Sequence, residues 1–465
     1  MLEPEPVHKG SSPYCPPRPA PLGPMSSLVR VIRQGDGDLL SLMPADAYRL
    51  PMGPLGYSRR SIQIINDPEL TKPILADPND LFPKNDLMVG ALAPLVGNSM
   101  FVSSGDLWRR QRRMIDPAFS HIRLAKAFPD MVGAIHDFEA RLASASAAAQ
   151  PISLDLAMGQ LTADIICRTV FSTSLANETA RDVYDSFAFF ERSVAHVELT
   201  RLIFGKPFEE IPQRRDVLQA CENIRGHIGR LLDTHVAKGA KFDDIATAII
   251  AARDLDTHER FSREELIDQL GVFFLAGHET TASALTWAFF IAAMMPEVAE
   301  RIRQEVQEVA GTGEIGFDHI KRLTYTKNVF KETLRLYPPI TFIPRVAAED
   351  TLIGGKKIKR GTMVMIAPWA IHRHQLLWLD PDVFDPDRFS SSREQEIVPG
   401  SYLPFGAGPR VCVGAAFATT EATLILAYIL RTYQLVVRQP EQIRPVARLT
   451  TRPAQEIFVD VVKRI

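Results

Sequence analysis

From about Asp116 to Met295 apolar residues recur every third or fourth position, as in LTADIICRTVF (residues 161–171), a spacing that lines one face of a helix. The longest such run, ELIDQLGVFFLAGHETTASALTWAFFIAAMM, extends from Glu265 to Met295. Ser262, followed three positions later by Glu265, forms a capping box that starts this helix near Arg263, and Pro296 ends it. At about thirty residues it is long enough to cross a whole domain. AAFATTEATLILAYIL, from Ala415, predicts a further helix. Strand patterns come late. DTLIGGKKI and GTMVMIAPW predict a hairpin around Gly354, Gly355 and the turn Lys359 to Gly361, and EIFVDVV alternates near the end. Helices segregated from a little sheet predict a mainly α fold with small β-sheets, of the α+β kind, rather than alternating βαβ units. A long meander, PDVFDPDRFSSSREQEIVPGSYLPFGAGPR, has little periodicity, and its length suggests function.

Composition narrows the reading. The 465 residues are 46% hydrophobic and 23% charged, which suits a globular protein with a sizeable core. With no internal repeat and one Pro/Ser-rich stretch at the start, the chain divides into a flexible arm over residues 1–25 and a single domain over 26–465. A net charge of -2 and a pI near 6.6 argue against nucleic-acid binding. No secretory h-region opens the chain, and the most apolar span, Gly271 to Met295, is interrupted by His278, Glu279 and Thr280. No membrane span is expected. The four cysteines, Cys15, Cys167, Cys221 and Cys412, contain no CxxC pair, so neither a disulfide framework nor a zinc cluster is indicated and a cytoplasmic location fits.

One cysteine stands apart. Cys412 lies among Gly406, Gly408 and Gly414, just ahead of the helix that begins near Ala415. Glycines there allow tight turns and close approach, and a helix N-terminus favours thiolate, so the sulfur suits a metal ligand or nucleophile. The same spacing fits an inert cysteine buried in a glycine turn.

Phe405, Gly408, Arg410, Cys412 and Gly414 together match F-x-x-G-x-R-x-C-x-G, and the segment resembles the haem loop of the cytochrome P450 superfamily, in its soluble bacterial form. The resemblance implies a long helix over a haem b and a cysteine-bearing loop beneath it. Cys412 would be the iron ligand, Arg410 would meet a propionate, Gly406 would line the cofactor and Phe405 would pack on the proximal side. KETLR places Glu332 and Arg335 three apart on a helix, which alone reads as a solvated ion pair. It also resembles the family's ExxR motif, with Arg388 of FDPDRF as third member of a structural network.

AGHETT, residues 276–281, resembles the family's oxygen-binding segment. A zinc-protease HExxH is excluded because position 282 is Ala282. The resemblance implies that Ala276 and Gly277 leave room for dioxygen, with Thr280 and Glu279 delivering protons. The competing reading is that the Thr280 hydroxyl bonds back to the Ala276 carbonyl. Trp108 and Arg112 match the family's W-x-x-x-R pair, which contacts a propionate, as Arg345 would from a strand. Arg109, Arg110 and Arg113 then become candidates for steering an acidic electron donor, against the default of a solvated charged face. His372 and Arg373 receive no role. The similarity covers roughly Leu50 to Ile465.

The resemblance further implies a substrate pocket built from Leu87, Met88, Leu92, Leu95, Phe273, Phe274, Ile340, Phe342, Ile343 and Thr451. Its apolar lining points to a hydrophobic small molecule. The implied activity is a monooxygenase that takes O2 and electrons from a separate ferredoxin- or flavodoxin-type donor with its reductase, since no such domain is evident in the 465 residues. A haem-thiolate peroxygenase or isomerase, or a haem sensor without turnover, are the alternatives, and Glu279 with Thr280 argues against both.

Overall fold

A computed structural model describes residues 13–23, 26, 29, 38–54, 61–194, 213–238 and 242–464. The N-terminal part contributes β1 (Met52–Pro54), β2 (Ile62–Ile65), α1 (Pro68–Ala76), α2 (Asp86–Val96), α3 (Gly105–Ile115), α4 (His121–Ala147), β3 (Ile152–Ser153), α5 (Leu154–Phe171) and α6 (Glu178–Val194). The middle holds α7 (Arg215–Lys238), α8 (Ile245–Ala251), α9 (Arg263–Met294), α10 (Pro296–Ala310) and α11 (Thr324–Leu336). Then follow β4 (Ile343–Val346), β5 (Thr351–Ile353), β6 (Lys356–Ile358), β7 (Met363–Ile366), α12 (Pro368–Ile371), α13 (Ala415–Thr432), β8 (Tyr433–Val437), β9 (Pro445–Ala447), β10 (Thr451–Pro453) and β11 (Phe458–Lys463). Helix dominates, as the periodicity predicts.

The 32-residue α9 is the axis of the fold. Its capping box is formed on both sides: Ser262 Oγ accepts from the Glu265 amide at 3.2 Å, while Glu265 Oε2 accepts from the Ser262 amide at 2.8 Å. Most of the helix from Leu266 to Ala292 is buried, because α5, α7, α11 and α13 pack around it. A helix covered on every side is apolar on every side. Among the described residues no single helix is long and apolar enough to cross a membrane.

Among the described residues four small sheets accompany the helices. The largest has the order β1-β2-β7-β4, with β2 and β7 parallel (Ile62 opposite Met363) and the other pairs antiparallel. β11 lies between β3 and β8. The expected hairpin is corrected in one respect. Gly354 and Gly355, with φ of +52° and +77°, close β5 onto β6, but β7 leaves that hairpin at Gly361 and pairs with β2 and β4. Where the expected arm is described it contacts the rest of the chain: Phe384 N–H donates to Tyr14 O at 3.0 Å, Tyr337 Oη to Pro17 O at 2.6 Å, and Arg18 pairs with Asp382 at 2.6 Å. Residues 1–12 and 24–25 of the expected arm lie outside the described residues.

Candidate active site

The chain between Leu403 and Gly414 folds into a tight loop before α13. Gly406 N–H donates to Leu403 O at 3.1 Å, Val411 N–H to Gly408 O at 3.1 Å, and Cys412 N–H to Phe405 O at 2.9 Å. Gly406 and Gly408 both have φ of +72°. For Gly408 the need is also steric, since a Cβ there would lie 2.5 Å from the Leu75 carbonyl oxygen at the end of α1. Cys412 is left with accessible surface. Protein atoms nonetheless crowd its thiol from the other sides, and this burial raises its pKa despite a backbone hydrogen bond from Gly414 and the nearby Arg112 charge. Burial thus opposes the thiolate that the helix N-terminus favours. A metal that replaces the proton would leave the sulfur as thiolate.

Cations converge on the same region from three elements. Lys84, bonded to Phe101 O, forms an isolated bridge with Arg345 of β4, and Arg410 of the cysteine loop lies within their electrostatic reach. Burial and then the two arginines push Lys84 well below its ordinary pKa. Burial and then Arg410 lower Arg345 to about 10. Arg410 donates to Ser103 O at 3.0 Å and stacks over Trp108, 4.3 Å from its ring centroid. Arg112 donates to Val411 O at 2.7 Å and pairs with Asp116, so α3 is fastened directly to the cysteine loop. Mutually repelling buried cations call for an anionic partner. A single thiol, a glycine-turned loop and this cationic set fit a haem with its two propionates.

The three arginines expected to steer an electron donor are already paired within the chain. Arg109 meets Asp80 at 2.7 Å and Asp106 at 2.9 Å, Arg110 meets Glu265 at 2.6 Å, and Arg113 meets Asp256 at 2.8 Å. Their charge is largely neutralised locally, which removes the physical basis for that expectation.

Behind the loop, Glu332 and Arg335 are fully buried on α11 and Arg388 nearly so. Arg335 Nε and Nη2 bond the two Glu332 oxygens at 2.7 Å each, and Arg388 Nε reaches Oε1 at 3.3 Å. The remaining donors of Arg335 go to the His372, Pro381 and Val383 carbonyls, and those of Arg388 to Leu379 and Asp380. The network thus pins the irregular meander. It is a buried network and not a solvated pair. His372, unassigned from sequence, bridges the two halves: Nδ1 bonds the Arg335 carbonyl at 3.1 Å and Nε2 accepts the Leu403 amide at 2.8 Å. Burial, then Arg335 and Arg373, hold its pKa down at about 3, so the ring is neutral. Arg373 stacks on Trp369 at 3.7 Å within the same core.

On α9, the Thr280 hydroxyl donates to Ala276 O at 2.7 Å, which is the back-bonded arrangement weighed against proton delivery. Gly277 faces α5: a Cβ would lie 2.4 Å from Ile166 Cδ1, so its small size lets two helices meet. Glu279 turns toward the β9–β10 hairpin, where Thr450 Oγ1 and Arg452 Nε each donate to its Oε1 at 2.5 Å. Nothing in the local sequence pattern marks Lys84, Thr450 or Arg452, because their partners lie far along the chain.

Of the expected pocket residues, Leu92, Leu95, Phe273, Phe274 and Phe342 join one apolar cluster, to which Met88 also packs. Phe274 stacks on Phe187 with centroids 4.7 Å apart, and Thr451 spends its hydroxyl on Pro338 O and its amide on Pro339 O. Both serve packing rather than an open lining. Ile343 belongs to a second cluster, Ile340 is part-exposed, and the Leu87 side chain lies outside the described residues.

Comparison with known proteins agrees with this geometry. The family model described as Cytochrome P450 matches residues 48–459. Cyclooctatin synthase of Streptomyces melanosporofaciens is 33% identical over 87% of each chain. A human ultra-long-chain fatty acid omega-hydroxylase is 30% identical over 86% of this chain and 78% of its own. The crystal structure of the cytochrome P450DA haem domain superposes with a TM-score of 0.81 at 23% identity, covering 97% of both chains.

Proposed function

The chain belongs to the cytochrome P450 family, an oxidoreductase family of monooxygenases, and on that premise we propose that it inserts one oxygen atom into a hydrophobic organic substrate. The observation that carries this reading is the cysteine loop, with Cys412 N–H tied to Phe405 O at 2.9 Å and the cations Lys84, Arg345 and Arg410 gathered beside it.

Cys412 would hold the iron of a haem b, with Arg345, Arg410 and Lys84 directed to its propionates. The bound haem supplies the activation of O2, which the polypeptide alone cannot perform. The chain's own residues position and supply protons. Trp108 orients the Arg410 guanidinium by stacking. Arg112 holds the loop through the Val411 carbonyl. Thr280 and Glu279 carry protons from the solvent side, each first leaving the bond it makes here. Met88, Leu92, Phe273, Phe342 and Leu449, which share one apolar cluster with Ala276, support an apolar substrate bound by shape and desolvation.

Electrons would come from a ferredoxin- or flavodoxin-type carrier with its reductase, in the cytoplasm. Retention of Glu279 and Thr280 favours this over a peroxide-driven reaction. Titrating the purified holoprotein with apolar compounds and following the haem spin state tests substrate class, and comparing turnover with NADH plus carrier against turnover with peroxide tests the electron source. Spin-state shifts with apolar ligands and carrier-dependent product support the reading. Response only to charged ligands, or turnover with peroxide alone, overturns it.

A further inference from the structure

The stretch RPVARLTTRP, residues 444–453, carries three arginines and no acidic residue. In the fold it forms the β9–β10 hairpin, with Ala447 opposite Thr451 and a tip at residues 448–450 that the Arg448 amide closes by donating to Thr450 O at 3.1 Å. Arg444 is exposed to water, and Arg452 pairs with Glu279. Arg448 differs. Its side chain is part-buried, its Nε is buried without an acceptor, and among the described residues no hydrogen bond or ion pair engages its guanidinium. Arginine does not give up its proton in a protein, so such a group cannot avoid the cost of burial by becoming neutral. It calls for an anion.

The hairpin that carries Arg448 is fixed on three sides. Thr450 Oγ1 donates to Glu279 of α9, Thr451 O accepts from Ser283 Oγ at 2.7 Å and Trp287 Nε1 at 2.8 Å, and the Thr451 amide donates to Pro339 O at 3.0 Å. On the other strand the Ala447 amide donates to Asp38 Oδ1 at 2.8 Å. The tip is therefore held among α9, the segment at Pro339 and Asp38. Leu449, next to Arg448 in the chain, packs on the apolar cluster that also includes Ala276, Met88 and Phe342. An unpaired cation thus stands one residue from the apolar surface assigned to the substrate.

From this placement we propose that Arg448 is a specificity-determining residue, which holds a carboxylate at one end of an otherwise apolar substrate. The proposal rests on the monooxygenase reading and narrows its substrate class to an amphiphile, with an apolar body against Leu449, Met88 and Phe342 and its charge at the hairpin tip. A guanidinium receives a carboxylate through two parallel N–H donors, which adds direction to affinity. The apolar body contributes by shape and desolvation. Because the tip is tied to α9 and Pro339, a carboxylate bound there also limits which part of the body can lie beside Ala276.

The test titrates the holoprotein with matched alkanoates and alkanols of several chain lengths, at a pH where the acids are ionised, and reads the haem spin state, which needs no turnover. Wild type is expected to bind the acid of each pair about tenfold or more tightly than the alcohol. Arg448→Leu loses that margin by weakening the acid alone, and Arg448→Lys keeps part of it. Arg448→Glu reverses the preference and takes an alkyltrimethylammonium ion, which cannot ligate iron, over the alkanoate. A merely structural role would weaken acid and alcohol together and would not follow the sign of the charge. Equal affinities for acid and alcohol in wild type, or parallel losses in Arg448→Leu, overturn the inference and leave the apolar-substrate reading standing. No spin-state response to any of these probes overturns both.

Discussion

Glu332 and Arg335, three positions apart on α11, face each other with both oxygen–nitrogen contacts at 2.7 Å and no exposed surface on either side chain. From this pair the arginine's other donors extend to carbonyls at residues 372, 381 and 383. Two guanidiniums around one carboxylate make the meander, and with it the approach to Cys412, depend on a single buried charge.

Removing that charge strands Arg335 and Arg388 in a dry core, at a cost of about 3–5 kcal/mol. Glu332→Ala is therefore expected to lose haem incorporation, read as loss of the Soret band in purified protein. A mutant with normal haem content and unchanged thermal unfolding would contradict the role given to the network.

The two loop glycines separate backbone strain from steric clash. At Gly406 an added Cβ would have 4.0 Å of room to Ile343, so Gly406→Ala meets only the left-handed φ, about 1–2 kcal/mol. At Gly408 it would also strike the Leu75 carbonyl at 2.5 Å, a backbone atom that cannot turn aside. Gly408→Ala should therefore destabilise the holoprotein more, by denaturant unfolding, and shift the ligation spectrum where Gly406→Ala does not. Equal effects would show that the approach to Leu75 is unimportant.

Gly277 tests packing against room for dioxygen. Gly277→Ala should cost about 1–3 kcal/mol by pushing on Ile166. Ile166→Val removes the Cδ1 atom concerned, so the double variant should recover most of the loss in urea unfolding. A stable Gly277→Ala with only oxygen chemistry impaired would return the residue to the role read from sequence.

Glu421 on α13 is buried with neither carboxyl oxygen hydrogen-bonded, and burial lifts its pKa well above 4.5. The native state therefore prefers the protonated acid. The associated stability is complete below about pH 4.5 and is lost as pH rises toward the native pKa. Glu421→Gln, which needs no proton, should match wild type near pH 4.5 and exceed it increasingly at higher pH, by about 1.4 kcal/mol for each pH unit of elevation. Parallel melting-temperature profiles for the two proteins would refute this.

What the sequence revealed and what it hid follow from distance along the chain. α9 was legible because its capping box and apolar run are local, and the cysteine loop because its glycines, arginine and cysteine are contiguous. The Glu332–Arg335 spacing was visible, whereas its burial depends on chain segments about 40 to 50 residues downstream. The partner of Arg452 is not legible locally, because Glu279 lies 173 residues away. The contacts of the Pro-rich start are hidden for the same reason, since Pro17 O accepts from Tyr337 Oη, 320 residues away. The pairing of β7 is not legible, because a four-residue strand carries no record of its partner.

The central claim is that Cys412, through its sulfur, holds a haem iron. The direct measurement is the reduced CO-difference spectrum of wild type beside Cys412→His. Wild type is predicted to give the red-shifted Soret band of thiolate ligation, and Cys412→His to lose it. A wild-type band typical of nitrogen ligation, or a thiolate band that survives in Cys412→His, would contradict the account.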